Sequence, residues 1–343
     1  MKLIKPSYKI LNQPAGLQGI YEQIELAGRT CYASSHKIQY QENNTHDGQF
    51  STTAKGFVDR MIKSGHGAVL EHGTVYLRYN FKAGEDSNST AYWLWSKYNE
   101  NKYSESVQAQ PIPGVPNGFV AITTNYRVLV ENDWLDDLKY LCEPTEYHKK
   151  RVCVRFICDR GVSHEFVRHR KFSFAQESTR YCNYSKDKFG NELTFIIPCW
   201  LDIPEGEAYF HDGINYRVGV TEENIFGESV NPKSWADKNN NYLEVQDYLY
   251  ALDIAERSYF RLMDKWENKI PDKRYKTGFK GNPWTPQQAR AILPNSLKTE
   301  LVMTGLVKDW EHFFDLRCDS AAHPQARELA IPLKEEFIKR GYI

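Results

Sequence analysis

Residues 168–181 read RHRKFSFAQESTRY, which places Arg168, Arg170, Lys171 and Arg180 among three aromatic rings and three hydroxyl side chains, with His169 between two arginines. Guanidinium groups hold phosphates through paired hydrogen bonds and also stack on flat rings. The run therefore has donors to grip a phosphate and surfaces to face an aromatic heterocycle. The same residue types suit a helix end whose cations meet its own carbonyls and the nearby Glu165 or Glu177. Composition alone favours neither.

Other reactive side chains carry weaker patterns. Ser178 has the hydroxyl of a nucleophile, but no histidine–carboxylate relay is evident beside it, which leaves ligand contact as the better role. His66 and His72 stand six apart, a spacing that suits no single helical face, and Glu71 alone makes a poor third ligand, so no metal is expected. Cys182 follows the basic run and is either a reactive thiol or a small buried hydrophobe. The seven cysteines include no CxxC, which argues against a disulfide framework and a zinc ribbon.

The elements that must position these groups are read from periodicity. Ile20, Ile24 and Ala27 mark a short helix over 16–28. Phe57, Val58, Met61 and Ile62 form a stripe that ends at Gly65, a helix C-cap. Val75, Leu77 and Tyr79 alternate as in a strand. Residues 82–118 are polar, with Pro111, Pro113, Gly114 and Pro116 near their end, and read as an excursion from the core suited to a lid. FVAITTNYRVLVE (119–131) reads as a strand. RVCVRFIC (151–158) is another, with Val152, Val154, Phe156 and Cys158 on one face, and Ser163 is placed to N-cap a short helix carrying HEFVRHR. The basic run thus follows a strand–turn–helix unit and continues into a loop, where chemistry tends to sit. Residues 200–241 are loop-rich. Val245, Tyr248, Leu252, Ala255, Tyr259, Leu262 and Trp266 then define a long amphipathic helix. Thr285, Pro286 and Gln288 fit a capping box, and Pro294 ends that helix. An apolar-periodic segment runs to about Leu316, and a last helix closes at Gly341.

Strands and helices do not alternate regularly, so an α+β fold is expected, a sheet flanked by helices in a single domain over 1–343 with insertions at about 82–118 and 200–241. At 343 residues the chain can bury one large core or two modest ones. Lys+Arg and Asp+Glu both number 44, so no global basic field draws in nucleic acid, and any anion recognition must be local. No apolar run approaches membrane-spanning length, and the N-terminal MKLIKPSYKI lacks a continuous apolar region. A soluble cytoplasmic protein is expected.

RHR, seven residues and then Ser178, with the trailing Ser-x-Arg-Tyr, resembles the signature of the flavin-dependent thymidylate synthases. GHGAVLEHGTVYL (65–77) looks like that family's Gly-His-x-x-x-x-Glu-His segment leading into a strand. RAILP (290–294) is similar to its arginine-bearing helix end, and FFDLRCDSAAH (313–323) to its Leu-Arg segment. All four stand in the family's order, and the match covers roughly 16–81, 151–198 and 285–330. The resemblance implies methylation of dUMP to dTMP, with methylenetetrahydrofolate as one-carbon donor and FAD reduced by NADPH as hydride source. It also implies a homotetramer whose sites draw on several chains.

Roles implied by the resemblance follow residue by residue. Arg168, His169 and Arg170 would contact FAD, Arg168 also reaching the nucleotide. Gln176, Glu177, Ser178, Thr179 and Arg180 would wrap dUMP, Gln176 touching the flavin as well, and Arg290 would add a phosphate contact. Thr74 would meet the flavin from a neighbouring subunit, and His72 would sit near the reactive ring. Arg317 would lie against the pyrimidine and stabilise its ionised form. Departures are also visible. Glu165, at a substrate-binding position, replaces a frequent Gln and needs compensation from Arg168 or His164. Ala175 replaces an amide that often faces the flavin. Leu306 and Lys308 stand where Asn and Arg often hold FAD, Ala321 where His is common, and His312 replaces an Asn but still donates a hydrogen bond. Pro198-Cys199 invites comparison with the cysteine-dependent thymidylate synthases, but Trp200 follows where those have His, and a structural Cys199 is preferred. A non-catalytic nucleotide or RNA binder using RHRK and Tyr181 is the alternative, disfavoured by zero net charge and the three further segments.

Overall fold

The computed structural model describes residues 1–43, 48–82, 87–112, 117–210, 216–218, 242–263 and 283–343. Along the chain, β1 (Lys2–Ile4), β2 (Ser7–Leu11), α1 (Gly16–Cys31), β3 (Tyr40–Asn43), β4 (Gly48–Ser51), α2 (Ala54–Lys63), α3 (Gly67–Leu70) and β5 (Thr74–Lys82) come first. Next are α4 (Ser87–Asn99), β6 (Glu105–Ala109), β7 (Asn117–Asn125), α5 (Tyr126–Glu131), β8 (Arg151–Asp159), α6 (Arg160–Phe166), β9 (Ser173–Gln176) and β10 (Thr194–Ile196). Then come β11 (Gly206–Phe210), β12 (Tyr216–Val218), α7 (Tyr242–Leu262), α8 (Pro286–Ala289), β13 (Lys298–Leu306), α9 (Val307–Arg317) and α10 (Pro324–Lys339).

The antiparallel sheet β2-β8-β13-β9 is the frame of the site. Alternation in RVCVRFIC sends Val152, Val154, Phe156 and Cys158 to one face, where they meet Leu301 and Met303. Over that face lie Phe166 of α6, Trp310, Phe313 and Phe314 of α9, and Leu329, Leu333 and Phe337 of α10. The opposite face presents Cys153, Val302 and Ala175 to Ala27 of α1. Helix α1 turns its other side to a second sheet, β5-β7-β6, through Ile20 and Ile24, together with Phe57 of α2 and Leu94 of α4. Gly28 lets these layers touch: a Cβ there would come within 2.6 Å of Phe57 and Val69. A third sheet, β10-β1-β11-β12, packs on α7 through residues such as Leu3, Phe195, Val245 and Leu249. The result is a mixed α/β architecture of sheets flanked by helices. No helix among the described residues is long and apolar enough to cross a membrane.

Several expectations need correction. Residues 119–131 are not one strand: β7 stops at Asn125, whose side chain accepts from the Val128 N–H at 3.2 Å and starts α5. Asp159, not Ser163, caps α6, accepting from the Val162 N–H at 2.7 Å, while Ser163 lies inside the helix and donates to the Arg160 carbonyl. Residues 87–112 are no excursion. Helix α4 buries Ala91, Leu94 and Tyr98, and β6 pairs with β7, so polar composition concealed an integral layer. Pro113, Gly114 and Pro116 lie outside the described residues, as do Trp266 and most of 200–241; β11 and β12 are the paired strands described there. The periodic segment up to Leu316 is the strand β13 running directly into α9. Thr285 and Gln288 do cap α8, the Thr285 N–H meeting Gln288 Oε1 at 2.9 Å.

Candidate active site

At the start of helix α6 the Asp159 carboxylate accepts from the Val162 N–H and the Asn295 carbonyl from the Arg160 and Gly161 N–H groups, and the helix delivers Glu165 in its last turn. The chain then leaves the helix with Arg168 and Arg170 exposed and His169 turned inward. The His169 ring packs 5.1 Å from Phe313 and 6.1 Å from His312 of α9. Burial, followed by the charges of Arg317 and His312, pushes the His169 pKa down to about 4. The imidazole is therefore neutral at pH 7, and Nε2 keeps its lone pair.

That lone pair meets Arg317, at the end of α9. Arg317 Nε donates to His169 Nε2 at 3.0 Å, Nη1 to Glu165 Oε2 at 2.6 Å, and Nη2 to the Glu165 carbonyl at 2.8 Å. The side chain is 16% exposed, so this is a partly buried clamp rather than a surface pair. A guanidinium has five N–H donors, so among the described residues two remain for a ligand. Glu165 is compensated by Arg317 rather than by Arg168 or by His164, which is exposed.

Strand β9 carries the rest of the motif. Gln176 Nε2 donates to Ser163 Oγ at 2.8 Å, which ties β9 to α6. Glu177 is buried and takes an ion pair from Lys298 at 2.9 Å and a hydrogen bond from the Tyr184 hydroxyl at 3.1 Å. Its carboxylate is thus committed to the fold and does not face a nucleotide. The Ser178 N–H donates to the Cys31 carbonyl, and its own carbonyl accepts from Tyr181 and Cys182, forming a tight turn. Thr179 is buried in that turn and Arg180 is exposed, its guanidinium 5.1 Å from the Tyr181 ring centre. Tyr181 lies 5.6 Å from Tyr32, whose hydroxyl meets His66 Nδ1 at 3.1 Å. Tyr32, Tyr181 and His66 form an aromatic cluster beside the Ser178 turn, the Tyr32 ring tilted 42° to Tyr181 and near-parallel, at 27°, to His66. Sequence reasoning passed over Tyr32 and weighed His66 only as a metal ligand; no local pattern links the two.

His72 and Thr74 lie elsewhere. His72 is fully buried, with Nδ1 2.8 Å from Thr304 Oγ1 on the α1 side of the sheet, the side opposite Arg317. Burial and then Arg151 push its pKa down to about 3, a backbone hydrogen bond at Phe174 opposing them. His72 nevertheless lines, with Thr74, the cavity described below, and within one chain it lies across the sheet from Arg317. Thr74 exchanges hydrogen bonds with Gln13 and accepts from Arg151, which also holds the Glu71 carbonyl and Ser173. A cavity of about 190 Å³ beside them is lined by Gln13, Thr74, Arg151 and Tyr342. Lys308 pairs with Glu105, His312 is exposed, and Arg290 projects from the end of α8. Ala175, where an amide was expected to be missed, is buried against Ala27.

The residues present suit a phosphate-bearing cofactor in part. Among the described residues Arg168, Arg170 and Arg290 are exposed and without an ion-pair partner, as an anion site requires. The 190 Å³ cavity, however, is below the ~300–1,000 Å³ of pockets that enclose drug-sized ligands, so one chain does not envelop a dinucleotide there. Cys182 is fully buried with its thiol pushed up to about 12 by burial and Glu177, and is no reactive group. Cys199 is exposed rather than packed, and its pKa is raised, so nothing activates it.

The model of one family, thymidylate synthase complementing protein, matches residues 149–340. This range holds Glu165, the basic run, Arg290 and Arg317, and omits His72 and Thr74. The flavin-dependent thymidylate synthase of Mycolicibacterium gilvum (strain PYR-GCK) is 28% identical over 172 residues, 50% of this chain and 51% of that protein. The protein of the same description from Mycobacterium marinum is 27% identical over 180 residues, 52% of this chain and 54% of its own. The chain spans about half the length of the curated relatives it matches. Among solved structures, a UMP/dUMP methylase from Streptomyces cacaoi bound with 5-Br UMP aligns over 99% of this chain and 92% of that one, at 13% identity and a TM-score of 0.38. That score is too low to carry an argument.

Proposed function

The chain belongs to the thymidylate synthase complementing protein family, and on that footing we propose that it converts dUMP to dTMP by reductive methylation at C5 of the uracil ring. Methylenetetrahydrofolate is the one-carbon donor. FAD reduced by NADPH, when bound, supplies the hydride that no side chain can provide. One observation carries this function: the Arg317 guanidinium is fixed by three hydrogen bonds and keeps two donors free.

C5 of uracil attacks a carbon electrophile only when the ring is electron-rich. Cys182 is buried and protonated and Cys199 is unactivated, so neither supports covalent activation of the ring. A guanidinium held against the N3–O4 or N3–O2 edge stabilises the negative charge that develops there, an effect strongest where water is scarce. The unpaired Arg168 and Arg170 hold the cofactor's phosphates. Ser178, Arg180 and Arg290 hold the phosphate of dUMP, while Gln176 and Glu177 shape the turn that presents Ser178.

The active assembly is a homotetramer in which facing subunits complete each site, and each chain contributes a single domain with an insertion at about 200–241. The small cavity within one chain and the exposure of the unpaired arginines support such sharing. The test uses dUMP tritiated at C5, because methylation there must displace that hydrogen. Tritium should be released only when FAD, NADPH and methylenetetrahydrofolate are all present. Failure to bind FAD under any condition, or dUMP returned unchanged, would overturn the proposal.

A further inference from the structure

We propose that Glu165 and His169 are the positioning residues of this site: they aim Arg317 so that its two free N–H donors meet the pyrimidine edge, and the Glu165 charge moderates how tightly the nucleotide anion is held. The inference rests on the function proposed above.

Arg317 sits on α9, Glu165 on α6, and His169 in the loop that follows α6. His169 meets the guanidinium at Nε, and Glu165 meets the two terminal nitrogens through its carboxylate and its carbonyl. An arginine side chain has many rotamers, and hydrogen bonds from all three of its nitrogens to Glu165 and His169 fix its orientation before substrate arrives. The remaining donors are one hydrogen on each terminal nitrogen, a pair suited to two acceptors on a flat ring. The contact from His169 requires a neutral imidazole, because a protonated ring would turn its acceptor into a second donor. Glu165 is 33% exposed beside this fork. Its charge offsets part of the field of Arg317 and opposes a phosphate-bearing ligand.

Three variants separate aim from charge. Glu165→Gln keeps an acceptor oxygen and removes the charge; KM for dUMP should fall severalfold, with kcat within about threefold of wild type. Glu165→Ala removes the acceptor, and kcat at saturating dUMP should fall tenfold or more, a loss that the Gln variant does not show. His169→Ala should lower kcat in the same way. Independently of catalysis, phenylglyoxal labelling followed by peptide mass spectrometry reports on the clamp in ligand-free protein. Arg317 should react slowly in the wild type and in Glu165→Gln, and severalfold faster in Glu165→Ala, with exposed Arg168 and Arg170 as internal standards. A Glu165→Ala protein with wild-type kcat and unchanged labelling would overturn the proposal. If labelling follows the expected order but wild-type protein never methylates dUMP, the clamp stands and its assignment to a pyrimidine fails together with the proposed function.

Discussion

Shifting the pH from 7.5 to 5.0 should cost the wild-type protein about 2 kcal/mol more folding stability than it costs a His72→Asn variant. In the folded chain the His72 pKa is pushed from 6.5 down to about 3 by complete burial and by the charge of Arg151. In the unfolded chain the ring titrates normally. Below pH 6.5 the unfolded state therefore takes up a proton that the folded state refuses, and stability present above that pH is lost as pH falls. At pH 5.0 the unfolded ring is about 1.5 units below its pKa, worth about 2 kcal/mol; the full loss, reached below pH 3, is about 5 kcal/mol. Asn is chosen because its amide nitrogen can keep the contact with Thr304. His148 and His169 also have lowered pKa values, so the wild-type curve alone mixes several groups, and the difference between the two proteins isolates His72. Urea unfolding of both proteins at the two pH values, at one protein concentration, gives the measurement. Equal losses in the two, within about 0.5 kcal/mol, would mean that His72 titrates freely and that its burial behind the sheet is wrong.

Four other outcomes are expected. Arg317→Lys keeps a charge but loses the fork, and methyl transfer should fall roughly a hundredfold while reduction of the flavin by NADPH changes little. Ser178→Ala should raise the dUMP requirement and leave turnover measurable, since a hydroxyl that only binds contributes about 1 kcal/mol; loss of all turnover in a folded protein would make Ser178 a nucleophile. Mixing inactive Arg168→Ala and Arg317→Ala subunits should restore activity through hybrid sites, and no rescue after confirmed subunit exchange would argue against shared sites. Gly28→Ala should lower stability by about 1–3 kcal/mol, because its Cβ would meet Phe57 and Val69 at 2.6 Å; an unchanged melting temperature would contradict this packing.

Period and motif carried the sequence far where one face of an element is buried. The alternation of RVCVRFIC placed β8 and its inward face correctly, and the stripe from Val245 located α7. The boundary between β7 and α5 was hidden because TTNYRVLVE is β-branched and aromatic on both sides of it, and only the capping Asn125 marks the switch. Helix α4 was missed because its exposed face carries Tyr92 and Trp93, which blurs its periodicity. In the site, the motif led to Arg168 and Arg317, but the Glu165–Arg317 contact spans 152 residues and has no local signature. His72 shows the opposite limit: the resemblance implied a place near the reacting ring, and only tertiary packing reveals that within one chain a sheet stands between it and Arg317.

Strand β13 acts as a ruler for the whole arrangement. Its nine residues pair one to one with β8, from Lys298↔Asp159 to Leu306↔Arg151. One end offers Lys298 to Glu177, the other offers Thr304 to His72, and the chain passes straight into the helix that carries Arg317. A slip of one residue would send Leu301 and Met303 towards α1 and drive Glu300 and Thr304 into the aromatic core. It would also rotate and displace the helix bearing Arg317. Inserting or deleting one residue within 298–306 should therefore disrupt the fold as a whole rather than weaken the site alone.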